Sequence, residues 1–333
     1  MDSLTQIILG ASVGEAVLGK KVGNKAMLYG AIAGTIPDLD TFVGNFTDVV
    51  TAIEVHRGFS HSIIFAVLFA PIFGFLISKI ERKSAVDWQD WSWLMFWGLF
   101  THPILDSFTT WGTQLFWPLD LKLAFKTIFV IDPLYTVPFL IFVILAMRQK
   151  RASPKRRMYN NLGLIISSGY LLLTVIFKGM AYSKFVENLD KQGYFYEKIE
   201  TKPAPFNTIL WTANVEVEDA FLIGDYSFFD SKPIQFSPHP KNHEALGNLS
   251  EEDKVQRLIK ITQGWYTVAE REDGFYLTVL RFGMMSVDPK SEEFAFSFLI
   301  EKNENGVTIT ENEKDARDAK KLFSDLWTRI KGN

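Results

Sequence analysis

Between Met1 and about Phe177 this 333-residue chain holds several apolar stretches near the roughly 20-residue length that crosses a bilayer, and no other feature restricts its fold as strongly. The clearest run over residues 62–80, 91–108, 133–147 and 159–177. Two earlier stretches, 4–18 and 26–43, are shorter or richer in glycine, so they cross, tilt, or enter only part of the bilayer. About six membrane helices are therefore expected over residues 1–177. Averages over the whole chain conceal this. With 22% charged residues and a mean hydropathy of +0.07 it resembles an ordinary soluble protein, because its second half is polar. The N-terminus opens on Asp2 instead of a basic segment and a further apolar stretch follows at once, which argues against a cleavable signal peptide.

Basic residues orient the segments. Arg148, Lys150, Arg151, Lys155, Arg156 and Arg157 fall in one loop without an acid, which places that loop in the cytoplasm. Counting outward, Lys79, Arg82 and Lys83 then lie inside, as do Lys20, Lys21 and Lys25. The expectation is a multi-pass protein of the cell membrane, with its N-terminus and everything after Phe177 on the outer side.

Against that frame the polar residues gather at one depth. The chain has 5 histidines, and two of them stand in His56-Arg57-Gly58-Phe59-Ser60-His61-Ser62, just before an apolar run. His102 precedes Asp106 by four positions, so both project from one helix face. Asp38 and Asp40 close the second stretch. Singly, each has a plainer reading: an interfacial histidine, a carboxylate facing water, or an Arg57 anchored at headgroups. Jointly, imidazoles and carboxylates at the ends of several spans require compensation by mutual pairing or a bound cation, and we read a metal site formed by Asp38, Asp40, His56, His61, His102 and Asp106. Gly10, Gly14, Gly30 and Gly34 have the small-xxx-small spacing that lets helix backbones approach closely. Pro37 and Pro103 free backbone groups beside the candidate ligands.

Three of these runs in order, Gly34-Thr35-Ile36-Pro37-Asp38-Leu39-Asp40, His56-Arg57-Gly58-Phe59-Ser60-His61-Ser62 and His102-Pro103-Ile104-Leu105-Asp106, resemble the signatures of the YdjM-type membrane-bound metal-dependent hydrolases. The resemblance covers roughly the first half of the chain. It implies a hydrolase, and a remoter likeness to the all-helical zinc phospholipase C and nuclease group implies phosphoester substrates. Many members of the family have a histidine shortly after the initiator Met. Here the stretch reads Met1-Asp2-Ser3-Leu4-Thr5-Gln6, leaving Gln6, Asp2, or neither in that role.

A mixed nitrogen and oxygen ligand set suits zinc, with manganese or ferrous iron as the alternatives, and it suits one ion or two. Such ions acidify water to a pKa of about 7. Arg57 is a candidate clamp for a phosphate or carboxylate, and Ser60 or Thr101 a candidate to orient water or a ligand. The expected activity is hydrolysis of a phosphoester in a membrane lipid or lipid-linked molecule at the outer interface. The rival readings are a non-catalytic, metal-stabilised envelope protein with an exterior domain that recognises a partner, and an ion-coupled transporter.

Residues 178–333 have a different character. Strand-like composition recurs over 209–217, 220–229, 265–270, 274–282 and 294–299, and Asp273-Gly274 is a hairpin signal. Residues 250–261 open with a helix cap at Ser250, and 316–330 place Ala319, Leu322, Phe323, Leu326, Trp327 and Ile330 on one helical face. The fold class is thus an α-helical membrane domain, 1–177, followed by a mainly antiparallel α+β extracytoplasmic domain, 178–333. His239 and His243 sit in a proline-rich stretch and read as surface histidines. Without cysteine there are no disulfides or thiolate ligands. A net charge of −3 gives no basic surface for nucleic acid.

Overall fold

In the computed structural model, which describes residues 1–84, 86–286, 291, 293–303, 306–312 and 319–333, a helical N-terminal region precedes antiparallel sheets. The chain divides into two compact units. One comprises Met1–Phe46, Val55–Val175 and Pro205–Asn207, and the other Thr47–Glu54, Ile176–Ala204 and Thr208–Asn333.

In the first unit α1 (Ser3–Val22) begins on Asp2, whose carboxylate accepts the Thr5 amide, and ends at Gly23 with φ +65°. α2 (Asn24–Thr35) packs along it so closely that a Cβ on Gly10, Gly14 or Gly30 would overlap a backbone carbonyl of the other helix. The apolar stretch 26–43 is consequently not one helix. It stops at Thr35 and continues as a 3-10 helix, Pro37–Phe46, where Pro37 denies the α-helix its next amide donor. After α3 (Val49–Val55), which belongs to the other unit up to Glu54, a 3-10 turn (Phe59–His61) leads to α4 (Ile63–Ile80), capped by Ser62. α5 (Trp88–Ser107), α6 (Pro133–Met147) and α7 (Pro154–Gln192) complete the helical series. Asp87 and Asp132 cap α5 and α6 with the same carboxylate-to-amide bond.

Two of these helices, α4 and α7, are long and apolar enough to cross a membrane, and α6 is a shorter apolar helix of 15 residues. α4 inverts the pattern of a water-soluble helix. Ala66, Ala70, Gly74 and Ile77 form its buried stripe, whereas Val67, Leu68, Ile72, Phe75 and Leu76 are exposed. Small residues inward and large apolar ones outward suit a helix whose surroundings are lipid.

The second unit holds two four-stranded antiparallel sheets. The first has β1 (Lys198–Pro203), β2 (Leu210–Glu216), β3 (Ala220–Ser227) and β4 (Phe236–Pro240) in sequential order. The second has β5 (Tyr266–Arg271), β6 (Gly274–Met284), β7 (Phe294–Asn303) and β8 (Gly306–Glu311), likewise sequential. Arg271 pairs with Gly274, so the hairpin turn is Glu272-Asp273 and Gly274, at φ +142°, starts the strand. Phe221, Ile223, Trp265, Leu280 and Phe294 form one core cluster shared by the sheets. α8 (Asp253–Thr262) buries Val255 and Leu258, but its cap position is Glu252, and the Ser250 hydroxyl instead donates to the Gly247 carbonyl. On α9 (Ala319–Ile330), Leu326 and Ile330 are buried while Phe323 and Trp327 are exposed, which narrows the expected stripe. Residues 316–318 and the Ala319 side chain lie outside the described residues.

The reading of His239 and His243 as loop surface residues needs correction. His239 is a buried member of β4, paired with Phe221, and its ring meets Phe294 edge-on. His243 stacks flat on Tyr266 at 3.9 Å and bonds that residue's carbonyl oxygen at 2.8 Å. Both serve packing.

Candidate metal centre

The centre is built from five segments of the first unit. The α1–α2 contact brings the Gly34 carbonyl and the Gln6 side chain towards α5, the helix that presents His102 and Asp106. The 3-10 helix after Pro37 carries Asp38 and Asp40, and the turn before α4 carries His61. One ligand atom each from Asp38, His61, His102 and Asp106 lies within 4.8 Å of every other. His61, His102 and Asp106 are fully buried, and Asp38 keeps 22% of its side chain exposed.

Hydrogen bonding fixes what the two imidazoles offer. His102 Nδ1 stands 2.6 Å from the Gly34 carbonyl oxygen, which only accepts, so Nδ1 carries the proton. His61 Nδ1 lies 3.0 Å from the Ser60 hydroxyl oxygen, whose own proton goes to Asp40, and 3.2 Å from an Asp40 carboxylate oxygen, so it too is the protonated nitrogen. With its ring neutral, each histidine then turns a lone pair at Nε2 inward, and these two nitrogens are 3.1 Å apart. Two such nitrogens at that distance repel unless a proton or a metal ion stands between them, and the flanking carboxylates favour either positive charge. The carboxylates complete the set. Asp38 Oδ1 is 3.4 Å from both Nε2 atoms, and Asp106 Oδ2 is 3.6 and 3.7 Å from them. A tetrahedron with ligand bonds of about 2.0–2.1 Å has edges of about 3.3–3.4 Å, close to the five separations that involve an imidazole, while the Asp38 and Asp106 oxygens lie within 4.8 Å of each other. Asp106 Oδ2 is also buried without a hydrogen-bond partner, as a ligand oxygen would be.

Asp40 and His56, expected as ligands, stand one layer out. Asp40 accepts from His56 Nδ1 at 2.8 Å, from the Ser60 hydroxyl at 2.6 Å and from the Arg57 amide at 3.0 Å, besides holding His61. It is the carboxylate of a carboxylate–histidine–metal arrangement. His56 also meets the Trp111 ring edge-on.

Arg57 and Ser60 have different duties from those expected of them. Arg57 is buried, with Nε 3.2 Å from Asp106 Oδ2 and Nη1 donating to Thr109 Oγ1 at 3.0 Å. It offsets carboxylate charge inside the centre. Ser60 spends its hydroxyl proton on Asp40. Thr101 turns back to its own helix, donating to the Trp97 carbonyl. Gln6 donates to Asp106 Oδ1 at 2.9 Å, and the Met1 amine also meets that oxygen, so Oδ2 keeps the Arg57 ion pair and no hydrogen bond. Asp2 caps α1 and takes no place among the ligands. Thr109 and the Gly34 carbonyl were invisible in the sequence, since neither residue type announces a ligand's partner.

Sequence comparison bears on the same half of the chain. A family profile described as "YdjM inner membrane protein" matches residues 1–181. Inner membrane protein YbcI of Escherichia coli (strain K12) is 32% identical over 101 residues, which is 30% of this chain and 57% of that protein. The match thus spans a little over half the length of that curated relative. No solved structure matches.

Proposed function

Because the chain belongs to the YdjM inner membrane protein family, we propose that its four converging ligands hold a divalent cation, zinc foremost and manganese or ferrous iron next, and that the protein is a metal-dependent hydrolase. The observation that carries this reading is the pair of Nε2 lone pairs at 3.1 Å, flanked by two carboxylates. When bound, such an ion polarises an electrophile and acidifies water. The chain's own residues do the rest. Gly34 and Asp40 hold the two imidazoles in their tautomers, Gln6 fixes the rotation of the Asp106 carboxylate, and Arg57 tempers the negative charge. Asp38, the one partly exposed ligand, marks the side from which substrate approaches.

The substrate class we assign is a phosphoester of a lipid or lipid-linked molecule at the outer membrane interface. Support comes from the lipid-facing character of α4, whose first residue follows His61 by two positions. The matching topology is multi-pass, with residues 148–157 in the cytoplasm and the sheet-bearing unit outside; the basic residues of that loop support it. α2, at 12 residues, is about 18 Å long, so within this topology it reaches its full depth only together with the 3-10 helix that follows.

Purified full-length protein should contain close to one equivalent of metal, lose it on His102→Ala, and cleave a phosphodiester lipid only when metal-loaded. Absence of both metal and turnover from the wild-type protein sinks the proposal. The complete burial of three ligands favours one rival, an ion that only ties helices together. In that case His61→Ala lowers thermal stability, and the wild-type protein with full metal content has no activity to lose.

A further inference from the structure

We propose that the cavity between the C-terminal end of α1 and the loop entering α7 binds a phosphate-bearing anion. The cavity measures about 570 Å³, a size that suits a small-molecule group. Its lining holds four cations, Lys20, Arg151, Arg156 and Arg157, against the single carboxylate of Glu15. That carboxylate is already spoken for. Arg156 grips it two-handed, Nε to Oε1 at 2.6 Å and Nη2 to Oε2 at 2.5 Å, and both side chains are buried. Arg156 is itself pinned by Asn24 and by the Gln149 carbonyl, so the pair forms a fixed, neutral floor.

Three cations remain around the opening. Arg151 donates to the Lys21 carbonyl, which anchors its guanidinium without cancelling its charge. Neither Lys20 nor Arg157 has a carboxylate partner among the described residues. Like charges held around one concavity repel, and a multivalent oxyanion resolves that repulsion better than water does. Arginine forks suit phosphate oxygens in particular. The first turn of α7, which starts at Pro154, adds the partial positive charge of a helix N-terminus at the same place. Met158 supplies an apolar wall, and α7 continues from there as a helix long and apolar enough to cross a membrane. A phosphate at this position therefore sits where an apolar helix emerges, at headgroup depth. The site is separate from the metal centre. Lys20 lies 14 positions along α1 from Gln6, about 21 Å away.

Phosphate chemistry reaches this cavity from either a phospholipid headgroup or free phosphate, and two arms of one experiment separate them. Full-length protein in detergent is titrated with phosphatidylglycerol or phosphatidylcholine, and bound lipid is counted by native mass spectrometry. A parallel titration uses inorganic phosphate with thermal stability as the readout. The wild-type protein should prefer phosphatidylglycerol by about tenfold or more, and the exposed-site variant Lys20→Gln/Arg157→Gln should lose that preference. Lys20→Arg/Arg157→Lys, which keeps both charges, should retain it. If inorganic phosphate alone stabilises the wild-type protein and displaces the lipid, the anion is free phosphate; if it does neither, the ligand is the headgroup. Equal retention of the two lipids with no response to phosphate overturns the proposal. So does a preference that survives the Gln variant, or one that the charge-conserving variant loses.

Discussion

Asp40 accepts hydrogen bonds from His56 Nδ1, the Ser60 hydroxyl and the Arg57 amide, and it stands 3.2 Å from His61 Nδ1, which also meets the Ser60 oxygen at 3.0 Å. An amide at this position retains one acceptor oxygen and turns a second donor towards a ring nitrogen that already donates. Asp40→Asn should therefore let His61 change tautomer and weaken metal binding by about 10–100-fold, measured by competition with a chelator. His56→Ala leaves the His61–Asp40 contact in place and should cost far less. Equal losses in the two variants would mean that Asp40 does not act through His61. Asp225 is a buried carboxyl of the sheet-bearing unit. Burial raises its pKa despite the Thr212 hydroxyl donated to it at 2.6 Å. A carboxyl with a raised folded pKa loses stability for its fold as pH climbs from the unfolded value, about 3.9, through the folded one. Asp225→Asn preserves the acceptor for Thr212 and removes the buried charge. Its unfolding midpoint should exceed that of the wild type by about 2–4 °C per kcal/mol gained at pH 7–8, and the difference should vanish below about pH 4. A gain that is independent of pH would refute the assignment.

At the scale of elements, the decisive contact is the one between α1 and α2. Gly30 lies against the Gly10 carbonyl and the Gly14 Cα, and Gly34 against the Gln6 carbonyl. These are the helices that deliver the Gly34 acceptor to His102 and the Gln6 amide to Asp106. Gly30→Val forces them apart. Overpacking of this kind costs about 1–3 kcal/mol, and here it should also lower metal content in a protein that otherwise still folds. Full occupancy in a destabilised variant would uncouple packing from the centre. The small-xxx-small spacing made this contact legible in the sequence, but other elements were not. Residues 37–46 read as the end of an apolar helix, yet Pro37 diverts them into 3-10 geometry, where positions two apart point in different directions. Asp38 can then face the ligands while Asp40 faces the outer histidines, a division that spacing alone did not reveal. β4, with the sequence Phe-Ser-Pro-His-Pro, read as loop because two prolines interrupt it. It is an edge strand, where prolines are tolerated. β1, with Lys198, Glu200 and Lys202, lacked apolar alternation because its partners were out of sight.

For the whole molecule, chain connectivity makes a link that neither half of the sequence displays. Thr47–Glu54 belongs to the sheet-bearing unit, although the residues on either side of it, up to Phe46 and from Val55, belong to the helical one. Val50 is 1% exposed and packs in a cluster with Leu246, Leu249, Val255 and Leu258. Arg257 clasps Glu54 through Nε and Nη2 and also reaches the Thr51 hydroxyl. The paired positions are some 200 residues apart, which is why no local pattern foretold them. The inserted segment separates Asp38 and Asp40 from His56 and His61 along the chain. Val50→Ala removes buried methyl groups and should destabilise the sheet-bearing unit by about 1–3 kcal/mol. If the insertion transmits that loss, hydrogen exchange should accelerate in residues 243–262 and also in 37–46 and 56–61, and metal should dissociate faster. Faster exchange in 243–262 with unchanged protection of 37–46 and 56–61 would show that the segment only fills a core, and that the centre keeps its ligands in place without help from the other unit.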